Sequence, residues 1–272
     1  MPIEMTGCRI GIVGCGGRMG RMLIAEVAAT EGAALAGGTE HAASLHGRDL
    51  GSLAGLAPLG VAAGAEPREL FAAADAVIDF TAPAATVRHA ELAAESGKVL
   101  VIGTTGLDAA QTRAVEAAAK RAPIVWSANM SLGVNLLLGL VEQAAARLGP
   151  DYDIEVLEMH HRMKVDAPSG TALALGHAAA AGRGVPLEEV WVKSRDGHTG
   201  ARAGGTIGFA TLRGGDVVGD HTVMFAGLGE RIELSHKASD RRIYARGAVR
   251  AALWAKGRTP GLYGMKDVLG LR

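Results

Sequence analysis

The segment that most constrains the fold runs from 9 to 40. It reads as an apolar run, RIGIVG (9–14), a glycine turn, CGGRMG (15–20), an amphipathic helical pattern, RMLIAEVAAT (21–30), and a second apolar run, AALAGG (33–38), that ends at Glu40. A strand without polar alternation is buried on both faces, and strand, tight turn, helix, strand is the unit of a parallel sheet with right-handed crossovers. The pattern recurs. AVIDF (76–80), KVLVIG (98–103) and PIVWS (123–127) are further strand candidates, with helical patterns over about 84–95 and 108–121 between them.

After Asn129 the rhythm changes. A long apolar helix pattern at 132–149 leads to a strand-like run at 152–161. A helix near 170–181 then precedes three apparent strands at 205–213, 216–227 and 231–238. Their short links predict antiparallel neighbours in an open mixed sheet. A last helical segment, 241–258, has the pattern to pack back on the first part. The predicted class is α/β: an N-terminal Rossmann-type parallel-sheet domain and a C-terminal α+β domain with an open mixed sheet.

With 28 basic and 28 acidic side chains, the chain has no global field to draw it to nucleic acid or a membrane surface, so any anion must be caught locally. No apolar stretch approaches the ~20 residues of a membrane helix, and the first residues lack a basic region followed by a long apolar run, so a cytoplasmic protein is expected. Cys8 and Cys15 lie on an extended run rising ~3.3 Å per residue, beyond disulfide reach, and are expected as free thiols.

Gly14, Gly16, Gly17 and Gly20 sit between the first strand and its helix, where a dinucleotide's pyrophosphate would rest on unpaired backbone N–H groups. The alternative is a tight turn that needs glycine for itself. Glu40 lies 20 residues beyond Gly20. Either it is an ordinary surface carboxylate, or it binds the adenosine ribose hydroxyls, which favours NADH because a 2′-phosphate would be repelled. Gly103, Thr104 and Thr105, and Ser127, Ala128, Asn129 and Met130, end strands of the same sheet and so face the same crevice. They suit a nicotinamide carboxamide, or a turn with a helix cap at Asp108.

The segment EMHHRMKVDAPSGTA (158–172) gathers His160, His161, Arg162 and Lys164 ahead of Asp166 and a Pro-Ser-Gly-Thr helix start. If extended, it sends His160, Arg162, Lys164 and Asp166 to one face and His161 to the other; if one helical turn, His160 and Lys164 share a face. Both readings set an imidazole suited to proton transfer beside an ammonium. Ser169 or Thr171 either caps the following helix or, with Gly170, binds a carboxylate there. No metal is expected: adjacent histidines on a strand diverge, no HExxH or paired cysteine ligands occur, and Lys164 would repel a cation.

Taken together, GCGGRMG, VIDFTAP, VIGTTG, SANMSLGVN, HHRMKVDAPSGTA, SRDGHTG and GTIGFATLRGGDVVGDHTVMFAG closely resemble, in order and over nearly the whole chain, the 4-hydroxy-tetrahydrodipicolinate reductase (dihydrodipicolinate reductase) family. The resemblance implies reduction of a cyclic imine dicarboxylate with NADH or NADPH in the diaminopimelate route to lysine. It implies His160 and Lys164 as catalytic donors, and substrate contacts at His161, Gly170 and Thr171, with Ser169 at the same helix start. Cofactor contacts fall on Gly14, Cys15, Gly16, Gly17, Arg18, Met19, Glu40, His41, Gly103 to Thr105 and Ser127 to Met130. Domain limits of 1–130 completed by 241–272, and 131–240 for substrate binding and oligomerisation, follow, as does a homotetramer built through the second domain's sheet. Some members carry arginine where this chain has His41 and Ala82, which turns the expectation further from NADPH. The rival class is a redox sensor that kept the fold without the chemistry. Its mark would be loss of His160, Lys164 and the 169–171 set, all of which are present.

Overall fold

The computed structural model describes residues 7–271, which form two compact units: 7–131 with 242–271, and Leu132–Arg241. In chain order the first unit begins with β1 (Cys8–Val13), α1 (Arg18–Ala29), β2 (Ala33–Thr39), α2 (Leu50–Leu53), β3 (Ala63–Gly64), α3 (Pro67–Ala73) and β4 (Ala76–Asp79). It continues with α4 (Pro83–Ser96), β5 (Val99–Ile102), α5 (Ala109–Ala119) and β6 (Pro123–Trp126). The second unit holds α6 (Leu132–Leu148), β7 (Asp153–His160), α7 (Gly170–Gly182), α8 (Leu187–Val190), β8 (Trp191–Val192), β9 (Ile207–Arg213), β10 (Gly219–Gly227) and β11 (Glu230–Ala238). The chain then completes the first unit with α9 (Arg242–Ala255), β12 (Gly261–Tyr263) and α10 (Met265–Leu269).

Sheet order in the first unit is β12-β6-β5-β4-β1-β2-β3, all parallel. The central strands β4 and β5 are buried at every position, as their apolar runs require, with Asp79 the buried carboxylate that ends β4. Helix ends follow local chemistry. Pro83 opens α4 and Gly97, at φ +67°, closes it, while Asp108 and Gln111 form a capping box at α5. Strand order reverses between β1 and β4, so the carboxyl ends of these two strands flank the crevice where ligands of open α/β sheets collect. α9 packs on α1 and on β4, β5 and β6.

The second sheet runs β11-β10-β7-β9-β8. One expectation fails here: β9 and β10 share a short link but are not neighbours, because β7 lies between them, parallel to β9 and antiparallel to β10. The link 214–218 needs to cross only two strand spacings of ~4.8 Å, well within the reach of five residues. α6 and α7 cover one face, burying Leu137, Val141, Leu175 and Ala179 on Ile154, Val156, Phe209, Val223 and Phe225. Alternation along β7 and β10 leaves Leu157, Met159 and Met224 on the opposite, part-exposed face. Among the described residues, no helix is long and apolar enough to cross a membrane.

Candidate active site

In the first unit the glycine turn hangs from the end of β2: the N–H groups of Gly14 and Cys15 both donate to Thr39 O, at 2.8 and 3.1 Å. Gly14 has φ +69°, a conformation that disfavours any side chain. A Cβ on Gly20 would lie 2.2 Å from Gly14 O, so glycine there lets α1 pack directly on the turn. Gly17 caps α1 without a side-chain hydrogen bond, and Arg18 and Met19 supply the first helical positions, leaving the helix start open to an anion.

Glu40 reaches over this turn. Its Oε2 accepts from Gly16 N–H at 2.9 Å and its Oε1 from His41 N–H at 2.8 Å. Gly14, Thr39, Glu40 and His41 line one side of a cavity of 720 Å³, and Thr81, Arg88 and His89 line another. An open helix start, a carboxylate beside it and a cavity at the switch point fit a dinucleotide. Cys15 and Met130 are buried in the core, so their side chains are closed to a ligand.

Two further strand ends are tied together beneath this crevice by a residue to which sequence reasoning gave no role. Asp79, fully buried, accepts from Thr81 N–H at 2.8 Å, Thr81 Oγ1 at 2.6 Å and Thr104 Oγ1 at 3.3 Å, and pairs with His89 Nδ1 at 2.8 Å. Burial pushes its carboxyl up, but the hydrogen bonds from His89 and Thr81 outweigh that and hold it below the ordinary value. Gly103 lies flat against the Phe80 ring, and Thr105 is exposed. Ser127 Oγ donates to Asn129 O at 2.8 Å and Asn129 Oδ1 accepts from Ser131 N–H at 2.9 Å, while Ala128 is exposed.

In the second unit β7 stops at His160, and the chain turns at once, with Lys164 N–H donating to His161 O at 3.1 Å. The segment is therefore neither the extended strand nor the helical turn anticipated. His161 N–H and Arg162 N–H instead bond to Val217 O and Gly215 O of the β9–β10 link, which pins the turn. Lys164 has its own counter-ion, Asp166, at 2.8 Å, and holds that carboxyl below its usual range. His161 Nε2 lies 3.5 Å from Arg241 Nη2.

His160 has a carboxylate partner on its own strand. Its Nδ1 lies 2.5 Å from Oε2 of Glu158, which is 1% exposed. Arg213 grips the same carboxylate with two bonds of 2.9 Å, and Ser169 N–H donates to it at 3.0 Å. Burial pushes Glu158 up, but Arg213, then His160 and Ser169, bring it below the ordinary value.

Ser169 serves as the cap of α7. Its Oγ accepts from Ala172 N–H at 3.2 Å and lies 3.2 Å from His221 Nε2. With both its N–H and its hydroxyl engaged and 1% exposure, it is closed to a ligand. Gly170, with open space where a Cβ would be, and Thr171 are the remaining positions at this helix start. His221 meets His160 edge-on with ring centroids 5.1 Å apart, and burial, aided by His160, pushes its ring down to about 4, which keeps it neutral.

Known proteins carry the same two-part design. Residues 8–130 match the family described as Dihydrodipicolinate reductase, N-terminus, and residues 133–269 match Dihydrodipicolinate reductase, C-terminus. The chain belongs to the dihydrodipicolinate reductase family. It is 59% identical to the 4-hydroxy-tetrahydrodipicolinate reductase of Afipia carboxidovorans, over 98% of each chain. It is 60% identical to 4-hydroxy-tetrahydrodipicolinate reductase 1 of Mesorhizobium japonicum, over 96% of each. A solved structure, the dipicolinate-bound dihydrodipicolinate reductase from Paenisporosarcina sp. TG-14, aligns with a TM-score of 0.77 at 25% identity, over 96% of this chain and 99% of that one.

Glu158, Arg213, His221, Asp79 and His89 lay outside the predicted site. Glu158 had a usable signal, since spacing of two from His160 on a strand puts both on one face. Arg213 and His221 had none, being brought in by strand pairing 55 and 52 residues away from their partners.

Proposed function

We propose that this member of the dihydrodipicolinate reductase family catalyses NAD(P)H-dependent reduction of 4-hydroxy-tetrahydrodipicolinate to tetrahydrodipicolinate, in the diaminopimelate route to lysine. The observation that carries the reading is the buried Glu158–His160 pair at the end of β7. It leaves the imidazole's other nitrogen as the reactive one, in a segment that also presents Lys164 and the start of α7.

The bound reduced nicotinamide supplies a hydride to C4 of the ring once the 4-hydroxyl has left as water. Conjugation carries the electron pair toward the ring nitrogen, where charge builds up in the transition state. His160 gives its Nε2 proton to that developing base, and Lys164 stabilises the charge. His161, Lys164 and the N–H groups at Gly170 and Thr171 hold the two substrate carboxylates, and Ser169 fixes the helix start that presents them.

On the cofactor side, the pyrophosphate rests on the N–H groups of Arg18 and Met19 at the start of α1, with Gly14, Cys15, Gly16 and Gly17 shaping the turn through their backbone, where Glu40 and Gly14 O hold the Gly16 and Gly17 N–H groups. Glu40 takes the ribose hydroxyls and His41 flanks them. Gly103 to Thr105 and Ser127 to Asn129 take the nicotinamide end, with Met130 packing behind from the core. A carboxylate rather than a guanidinium at the ribose favours NADH over NADPH. Assembly as a cytoplasmic homotetramer through the part-exposed sheet face, where Leu212 is 48% exposed, completes the reading.

Oxidation of NADH and of NADPH, measured separately on addition of freshly generated substrate, tests it. Turnover with a higher kcat/KM for NADH, unaffected by EDTA, is the expected result. No turnover with either nucleotide would overturn the activity, and a clear NADPH preference would overturn the reading of Glu40 and His41.

A further inference from the structure

We infer that Glu158 and Arg213 are positioning residues for the reaction: together they fix His160 with a proton on Nδ1 and its Nε2 free to exchange the catalytic proton. The inference rests on His160 as the proton donor, and it assigns the groups that make it one.

Glu158 cannot act on substrate itself. A carboxylate has about four acceptor sites, and here Oε1 takes Arg213 Nη2 and Ser169 N–H while Oε2 takes Arg213 Nη1 and His160 Nδ1. All four donors come from the protein and the group is buried, so Glu158 works only through the residues it holds.

Arg213 arrives by strand register: parallel pairing of β7 and β9 sets it opposite His160. Its fork neutralises Glu158, and Nη2 also donates to Asp166 O at 2.6 Å. One ion pair thereby fixes three things: the ring at the end of β7, the turn carrying Lys164 and Asp166, and, through Ser169 N–H, the start of α7. The edge-on ring of His221 packs on His160 and opposes a ring flip, which would also break the bond to Glu158.

With Nδ1–H held by Glu158, proton transfer is confined to Nε2. The ring donates as the doubly protonated imidazolium: the Nε2–H bond breaks as the bond from that proton to the substrate forms, leaving the neutral Nδ1–H tautomer, and solvent returns a proton to Nε2 afterwards. Space for this is kept by Gly219, where an added Cβ would stand 3.0 Å from His160 Nε2.

The test uses the full chain with ¹⁵N-labelled histidine, in wild type, Glu158→Gln, Glu158→Asp and Arg213→Lys. Ring-nitrogen NMR reads the His160 tautomer, and kinetics separate kcat from KM. In its neutral form, wild-type His160 is expected as the Nδ1–H tautomer. Glutamine offers one oxygen where two are used, so in Glu158→Gln the tautomer bias is lost. Its kcat then falls about 10- to 100-fold, up to the lower edge of what general acid catalysis contributes, with KM and NADH affinity within about threefold. Glu158→Asp keeps a carboxylate and restores part of kcat. Arg213→Lys, lacking the fork, shifts the tautomer in the same direction.

A neutral wild-type ring with its proton on Nε2 in place of Nδ1, or a Glu158→Gln protein with unchanged kcat and tautomer, would overturn the inference. Should Glu158→Gln fail to fold, the wild-type tautomer and Glu158→Asp decide it. Failure of the underlying reading looks different, with His160→Gln keeping full turnover while the tautomer results stand as expected.

Discussion

Asp79→Ala would remove the buried carboxylate that gathers the ends of β4 and β5 beneath the cofactor crevice. Asp79 is fully buried and takes hydrogen bonds from Thr81 N–H, Thr81 Oγ1 and Thr104 Oγ1 while pairing with His89 Nδ1, and His89 is 6% exposed. Alanine leaves His89 and the Thr81 and Thr104 donors without the carboxylate, a loss of about 3–5 kcal/mol by analogy with breaking a buried ion pair. Asp79→Asn keeps an oxygen for Thr81 and Thr104 and presents its NH₂ to His89, whose ring can shift tautomer to accept it, so the cost drops to about 1–2 kcal/mol. Urea denaturation followed by Trp126 fluorescence, with Trp191 and Trp254 replaced by Phe, reads the right segment, because Trp126 Nε1 donates to Thr104 O at 3.4 Å. A drop of under about 1 kcal/mol for Asp79→Ala, or a larger loss for Asn than for Ala, would refute the reasoning.

Gly219→Ala tests the space at His160. Gly219 is outside the positive-φ glycines, so alanine keeps the strand, but its Cβ would stand 3.0 Å from Nε2. The kcat is expected to fall at least about tenfold while stability changes by no more than about 1–3 kcal/mol and NADH affinity holds. A third prediction concerns Asp75. Although burial raises its carboxyl, bonds from the Arg9 N–H and guanidinium and from Lys256 bring it down to about 2. A depressed carboxyl stabilises the fold above its ordinary value of 3.8, and that stabilisation disappears as pH falls towards about 2. Asp75→Asn should then cost about 1–2 kcal/mol at pH 7, after discounting for the half-exposed Arg9 and Lys256, and the gap to wild type should close below pH ~4. Urea titrations across that range check it, and a constant gap would contradict it.

Most of what the sequence made legible is local. The apolar runs of β1, β4, β5 and β6 could be read because a parallel strand buried on both faces leaves a near-continuous hydrophobic signature. The glycine turn was legible because close backbone approach at Gly14 and Gly20 excludes side chains. What escaped depends on distant pairing. Nothing in the link 214–218 says that β7 will lie between β9 and β10, and that insertion is what carries Arg213 to Glu158 and His221 to Ser169. Small elements such as β3 and β12 escaped because two or three residues carry no period. The path after His160 was also unreadable, since bonds to the 215–217 backbone, not local propensity, turn the chain there.

The account's central claim is that His160 and Lys164 carry the chemistry of NAD(P)H-dependent reduction. The most direct measurement is substrate-dependent oxidation of NADH by His160→Gln and Lys164→Ala, alongside NADH binding to each variant by calorimetry. The account predicts that turnover falls by about 10²-fold or more in both while NADH affinity stays near wild type; wild-type turnover in both variants would contradict it.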